Sequence, residues 1–226
     1  MTTNPSTRAA TAKAPTTAVS APPVPSSAAF VPADPLERVA EKLRSNNIEA
    51  IVVDSAAEAR DLVIGMVPEG AEVHSGKSKT IEELGLFKEL MESGRYDAIR
   101  PKLYAMDRKT QGREMRKLGA APDYELGSVA AITEDGALVV ASATGNQTAA
   151  YAGGAGRVIL VVGSQKLVKD LDAALVRIRE IVFPYENEQV RARVGVDTKL
   201  NKLLVIYGEW VERRTTVVLV REPVGI

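Results

Sequence analysis

The residues best suited to chemistry fall in a few short polar loops, each next to an apolar run. The first is His74-Ser-Gly-Lys-Ser-Lys-Thr80, between a short apolar run and a capped helix start. Backbone N–H groups at such a junction, with Gly76 allowing close approach and the Ser78 and Thr80 hydroxyls nearby, suit a phosphate or carboxylate. His74 is the sole histidine. It can serve as a general acid or base near neutral pH, although a satisfied structural or surface histidine is the commoner outcome. The second loop carries Glu134, Asp135 and Gly136. Glu134 can act as nucleophile or base, with Asp135 and Gly136 beside a bound ligand. The same tripeptide also suits a tight β-connection. Gly145 and Asn146 form a third loop, offering an amide donor next to a permissive backbone, or else a helix-capping turn. Lys166 follows the run 158–162 and can pair with an anion. The candidate set is thus Glu134 and His74 for catalysis. Gly76, Ser78, Thr80, Asp135, Gly136, Gly145, Asn146 and Lys166 are the candidates for ligand binding.

Two tempting motifs fail on spacing. A P-loop needs a glycine five residues before Gly76, and that position is Ala71. Gly153-Gly-Ala-Gly156 precedes its apolar run instead of following one, and Ile159 stands where a third glycine of a dinucleotide fingerprint would be.

Composition narrows the chemistry further. Basic and acidic residues balance at 29 each, and aromatics make up 4%, which argues against a nucleic-acid footprint or base-stacking platform. There is no cysteine, so disulfides, thiol nucleophiles and cysteine-held zinc or iron–sulfur clusters are excluded. No metal site is expected. No apolar run reaches the length of a membrane helix, and a cytoplasmic protein is the expectation.

The elements that must position these loops alternate. Residues 1–33 are rich in Thr, Ser, Ala and Pro and are expected to be a disordered tail. Order is expected over 34–226. Asp34, Ser55 and Asp170 read as helix N-caps, with Pro35 suited to a first helical position. Apolar stripes at helical spacing follow each cap. Runs 48–53, 71–73, 129–132, 137–141 and 158–162 read as strands. Gly85 interrupts or bends a helix, 108–118 reads as helical, and 183–202 as a loop. Runs 203–207 and 215–220 suggest an antiparallel edge hairpin. Strands alternating with helices predict an α/β fold with a mainly parallel sheet covered by helices on both faces, in three layers.

The stretch 127–147 resembles the LUD-domain family, the lactate-utilisation proteins, and in particular the small C-component type. The resemblance rests on Ile132-Thr-Glu-Asp-Gly-Ala137, Gly145-Asn146, Val161-Val-Gly163, Lys166 and Asp170-Leu-Asp-Ala173. Gly76-Lys-Ser-Lys-Thr-Ile-Glu-Glu-Leu-Gly-Leu86 and the closing Thr216-Val-Val-Leu-Val-Arg-Glu-Pro-Val-Gly225 extend it to about residues 36–226. The resemblance implies a fold similar to the sugar-phosphate isomerase, CoA-transferase and formyltetrahydrofolate cyclo-ligase group. It also implies an accessory or ligand-binding role in oxidation of L-lactate to pyruvate, with iron–sulfur clusters on partner proteins and no cofactor on this chain. Two alternatives stand beside it. One is an enzyme acting on an anionic small molecule, such as a sugar phosphate, acyl-CoA or folate derivative. The other is a non-catalytic regulatory module.

Overall fold

The computed structural model describes residues 34–226, and the expected disordered tail lies outside them. In chain order the elements are α1 (Pro35–Ser45), β1 (Glu49–Val53), α2 (Ala56–Met66), β2 (Glu72–Ser75), α3 (Lys79–Glu83), α4 (Leu86–Glu92), β3 (Asp97–Ala98), α5 (Ile99–Ala105), α6 (Gly112–Ala120) and β4 (Tyr124–Gly127). They continue with β5 (Ala131–Thr133), β6 (Leu138–Ser142), α7 (Asn146–Ala149), β7 (Arg157–Gly163), β8 (Leu167–Val168), α8 (Leu171–Arg177), α9 (Phe183–Val194), β9 (Lys202–Ile206) and β10 (Thr215–Val220).

The predicted caps form. Asp34 accepts from the Leu36 amide, Ser55 from that of Glu58, and Asp170 from that of Ala173. Each satisfies an amide that has no partner within its helix. Gly85 separates α3 from α4 in a left-handed conformation, at φ 67°, where a side chain would be strained.

Six strands form one parallel sheet in the order β1-β10-β7-β4-β2-β3. Its central strand β7 is apolar at nearly every position because both faces are covered. Val158, Leu160 and Val162 pack with α1 and the second sheet, while Ile159 and Val161 pack with α2, α3 and α4. The second sheet, β8-β5-β6-β9, is mixed. Its outer face meets α8 through Ala130, Val139, Ala174 and Ile178. The expected α/β class with a mainly parallel sheet therefore holds.

Three local expectations are corrected. Runs 203–207 and 215–220 do not form a hairpin. β9 edges the second sheet against β6, and β10 lies inside the first, parallel to β1 and β7. All six residues of β10 are buried, which a two-faced interior position requires and an edge does not. Second, 183–202 is not all loop, because α9 occupies its first half. Pro184 should end a helix, since it lacks an N–H and crowds the carbonyl four residues back. The preceding turn, Ile178–Val182, is π-helical, and its wider winding makes room for that ring. Third, β4 joins the sheet between β2 and β7, where no strand was expected.

The loop joining β9 to β10 carries Trp210, the chain's one tryptophan, with 96% of its surface exposed. Arg221, just past β10, ties Asp34, Glu37 and Asp54 together at the surface. Ion pairs so exposed add little stability.

Candidate functional site

Because the six strands run parallel, their carboxyl ends share one edge. Ser75 ends β2, Gly127 ends β4, Gly163 ends β7 and Val220 ends β10. Open α/β sheets bind ligands outside this edge. Here the loops after β2, β4 and β7 meet around one amine. Lys166 is 2% exposed. Its Nζ donates to Thr80 Oγ1 and to Ser128 Oγ, each at 2.8 Å. Ser128 in turn donates to the Val161 carbonyl at 2.6 Å, which fixes its hydroxyl.

A second buried cation stands nearby. Arg177, 7% exposed, sits on the inner face of α8 with Ala174 and Ile178. Its Nη1 donates to the Ala130 carbonyl at 2.8 Å and its Nε to that of Gln165 at 3.3 Å, so it clamps the loops after β4 and β7 together. Among the described residues neither Lys166 nor Arg177 forms an ion pair with a carboxylate. Burial, reinforced by the Arg177 charge, pushes the Lys166 amine down to about 7, and Glu83 opposes this only weakly. Burial likewise lowers the Arg177 guanidinium. Buried charges are normally paired. Two buried cations at a strand edge without an acid between them make an electropositive site suited to an anion.

The chain beyond β10 covers this site. A Cβ built on Gly225 would lie 2.0 Å from Thr80 Oγ1, so only glycine packs there. Gln165 Nε2 donates to the Val224 carbonyl at 2.9 Å, and the Gly225 amide donates to Glu83. A cavity of about 280 Å³ opens elsewhere, between Tyr151 and β9, and Lys166 does not line it.

A second buried polar group lies one strand away, between β2 and β4. His74 on β2 stands in register with Glu125 on β4. His74 Nδ1 and Glu125 Oε2 are 2.7 Å apart, and the two residues are 4% and 0% exposed. The second carboxylate oxygen, Oε1, has no hydrogen-bond partner. Burial raises the Glu125 carboxyl to about 6, against the lowering pull of His74 and the Gly76 amide. A carboxylate at Nδ1 fixes the ring and leaves Nε2, which faces Gly119 of α6.

The sign of the pH dependence follows. The folded carboxyl titrates above its usual 4.5, so the native state binds more protons between there and about 6. Stability falls as pH rises through that window and the loss persists above it. Glu125→Gln is therefore expected to exceed wild type by up to about 2 kcal/mol above pH ~6, with the advantage gone near pH ~4. Urea denaturation at both values measures this. A variant less stable than wild type at neutral pH would show that the ion pair outweighs the desolvation.

Of the expected site residues, Thr80 and Lys166 are brought into direct contact. Ser78 serves as the N-cap of α3, accepting from the Ile81 amide. Gly76 lies beside Gln147, one residue past Asn146, so the loops of Gly76 and Gly145 are neighbours. Gly145 itself takes φ 87° ahead of α7. Glu134 and Asp135 are exposed in the turn between β5 and β6. Thr133 Oγ1 accepts from the Ala137 amide across that turn and bonds Asp135. Gly136, at φ 88°, packs against Lys42 and Leu43 of α1. No hydrogen bond or ion pair among the described residues links Glu134 or Asp135 to Lys166 or His74.

With that geometry in place, the sequence profile described as the LUD domain matches residues 36–219. The chain belongs to the LUD domain family. The fold of this LUD-domain protein is also similar to the crystal structure of a DUF162 family protein from Deinococcus radiodurans. That likeness covers 83% of this chain and 96% of the other at 14% identity, with a TM-score of 0.51. At such identity it speaks for the fold alone. No curated protein matches the chain significantly. No helix among the described residues is long and apolar enough to cross a membrane, and no group of three or more acidic, His or Cys side chains is placed to hold a metal.

Sequence reasoning missed Glu125, Ser128 and Arg177. Arg177 carried a readable signal, since helical spacing puts it on one stripe with Ala174 and Ile178. Ser128 and Glu125 carried none, because their roles depend on β4 lying between β2 and β7.

Proposed function

We propose that this LUD-domain chain is a ligand-binding component that supports oxidation of L-lactate to pyruvate in the cytoplasm. A small monocarboxylate would rest against Lys166 and Arg177, and iron–sulfur clusters would sit on partner proteins. What carries the reading is the pair of buried cations without an acidic partner at the carboxyl edge of the sheet. A carboxylate there supplies the missing counter-charge, and the segment after β10 must shift to admit it. The family's association with lactate utilisation supplies the ligand class, and a chain without cysteine leaves electron transfer to others.

The test is a melting screen with L-lactate, pyruvate, a sugar phosphate and a CoA ester. A true ligand at about a hundred times its Kd adds roughly 2.7 kcal/mol, or about 5–10 °C for a domain of this size. An anion favours the protonated amine, so lactate affinity is expected to hold below pH ~7 and fall up to about tenfold per unit above it. Deletion of the protein should also impair growth on L-lactate. No shift with either monocarboxylate, together with unchanged growth, would overturn the proposal.

A second reading, an enzyme acting on an anionic small molecule, is favoured by the burial of the Lys166 amine beside two hydroxyls and Arg177, which pushes it down to about 7, in the range of a base or nucleophile. Stabilisation by a phosphate or CoA ester alone would select it.

A further inference from the structure

Lysines that only balance charge face a carboxylate or water. Lys166 faces neither. It is buried, faces two hydroxyls, and has a cation, Arg177, as neighbour. A neutral amine has two N–H donors and one lone pair. In this setting Thr80 and Ser128 accept both N–H bonds, and the lone pair is the direction left over. That is the arrangement of a nucleophile.

We propose that Lys166 captures a small 2-oxo acid as an imine, an inference that rests on the monocarboxylate site described above. The Arg177 guanidinium keeps its charge across this pH range and attracts the ligand carboxylate. The carbonyl carbon lies next to that carboxylate and comes within reach of Nζ. The Nζ lone pair adds to the carbonyl carbon while the C–O π bond breaks, giving a carbinolamine once a proton moves from nitrogen to oxygen. The nitrogen then forms a second bond to carbon, the hydroxyl leaves with a proton as water, and the imine remains. Ketone and amine give imine and water, and nothing is oxidised or reduced. Ser128 and Thr80, both within hydrogen-bond reach of Nζ, relay the protons. A 2-hydroxy acid such as lactate has no ketone carbonyl to condense with the amine and binds only through charge. The site would thus hold the oxidised ligand by a bond that the reduced one cannot form.

The pH dependence involves the groups that face the amine. These are Arg177 on α8, Glu83 at the end of α3, and the uncharged Thr80 and Ser128. Burial and Arg177 favour the free amine, so imine formation should rise as pH passes through about 7. Lactate affinity should fall over the same interval.

The full chain is incubated with pyruvate and sodium cyanoborohydride, then analysed by intact mass and peptide mapping. The expected result is one reduced pyruvate adduct per chain, mapped to Lys166, with a trapping rate that climbs through about pH 7. Lys166→Arg should lose the adduct, because a guanidinium offers no free amine lone pair. Ser128→Ala should trap roughly tenfold more slowly, or worse. Adducts scattered over surface lysines, or none, would overturn the proposal, and mapping on wild type does so without any variant. Pyruvate that raises the melting temperature but is never trapped sinks the imine and leaves the binding reading intact. Pyruvate that does neither sinks the imine, and the binding reading falls with it when L-lactate also gives no shift and growth is unchanged. Trapping at Lys166 without any response to lactate upholds the imine and removes lactate as a ligand.

Discussion

Lys166→Met is expected to melt higher than wild type and to lose all response to monocarboxylates. Burial brings the Lys166 amine from 10.5 to about 7. At 1.36 kcal/mol per unit this corresponds to about 5 kcal/mol of destabilisation, an upper bound. Losing the bonds to Thr80 and Ser128 offsets about 1 kcal/mol each. The net gain of about 3 kcal/mol translates to roughly 6–12 °C for a domain of this size. The folded amine binds protons less readily than the unfolded one. The wild-type penalty is therefore fully present below about pH 7 and vanishes as pH rises toward 10.5, so the advantage of methionine should fade over that span. Melting followed by circular dichroism at several pH values decides it. If methionine melts at or below wild type at pH ~7, Lys166 is a structural residue and the electropositive site dissolves with it.

Gly154→Ala is the opposite case. A Cβ at Gly154 would lie 1.8 Å from the Ala120 carbonyl oxygen and 2.9 Å from its carbon. Both are backbone atoms at the end of α6, so no rotamer can relieve the clash. A loss of about 3 kcal/mol or more is expected, a drop of roughly 6–12 °C. The damage would spread to the site. The turn Ala150–Gly154 carries Tyr151, whose hydroxyl packs on Gly127 so closely that a Cβ there would lie 1.8 Å away. Gly127 immediately precedes Ser128, one of the two hydroxyls at Lys166. Gly154→Ala is therefore expected to weaken monocarboxylate binding as well as stability. A variant melting within about 2 °C of wild type would mean that α6 and this turn slide apart freely.

These two positions illustrate what a sequence discloses. Caps and periodic stripes are local, and Asp34, Ser55 and Asp170 were legible because each needs only the three or so residues after it. Lys166 was legible as a cation following a strand. Its burial was not, because that depends on Thr80 and Ser128 arriving from elsewhere in the chain. Glu134 drew attention for its chemistry, yet lies exposed in the turn that Thr133 and Gly136 organise, and nothing joins it to the buried cations. Glu125 went unnoticed because a charge inside Tyr-Glu-Leu-Gly breaks the apolar pattern by which strands are recognised. The strand accommodates that charge because His74, in register on β2, pairs with it. In the same way β10 looked like half of a hairpin. The residues that place it between β1 and β7 lie far away in the chain.

Trp210 bears on how any of these measurements is read. Its indole is already almost fully solvated in the native fold. Unfolding moves it from water to water, so the emission spectrum will barely change while the sheets come apart. Tryptophan emission is blind to the core of this protein, and an engineered tryptophan facing Lys166 would be the useful optical probe.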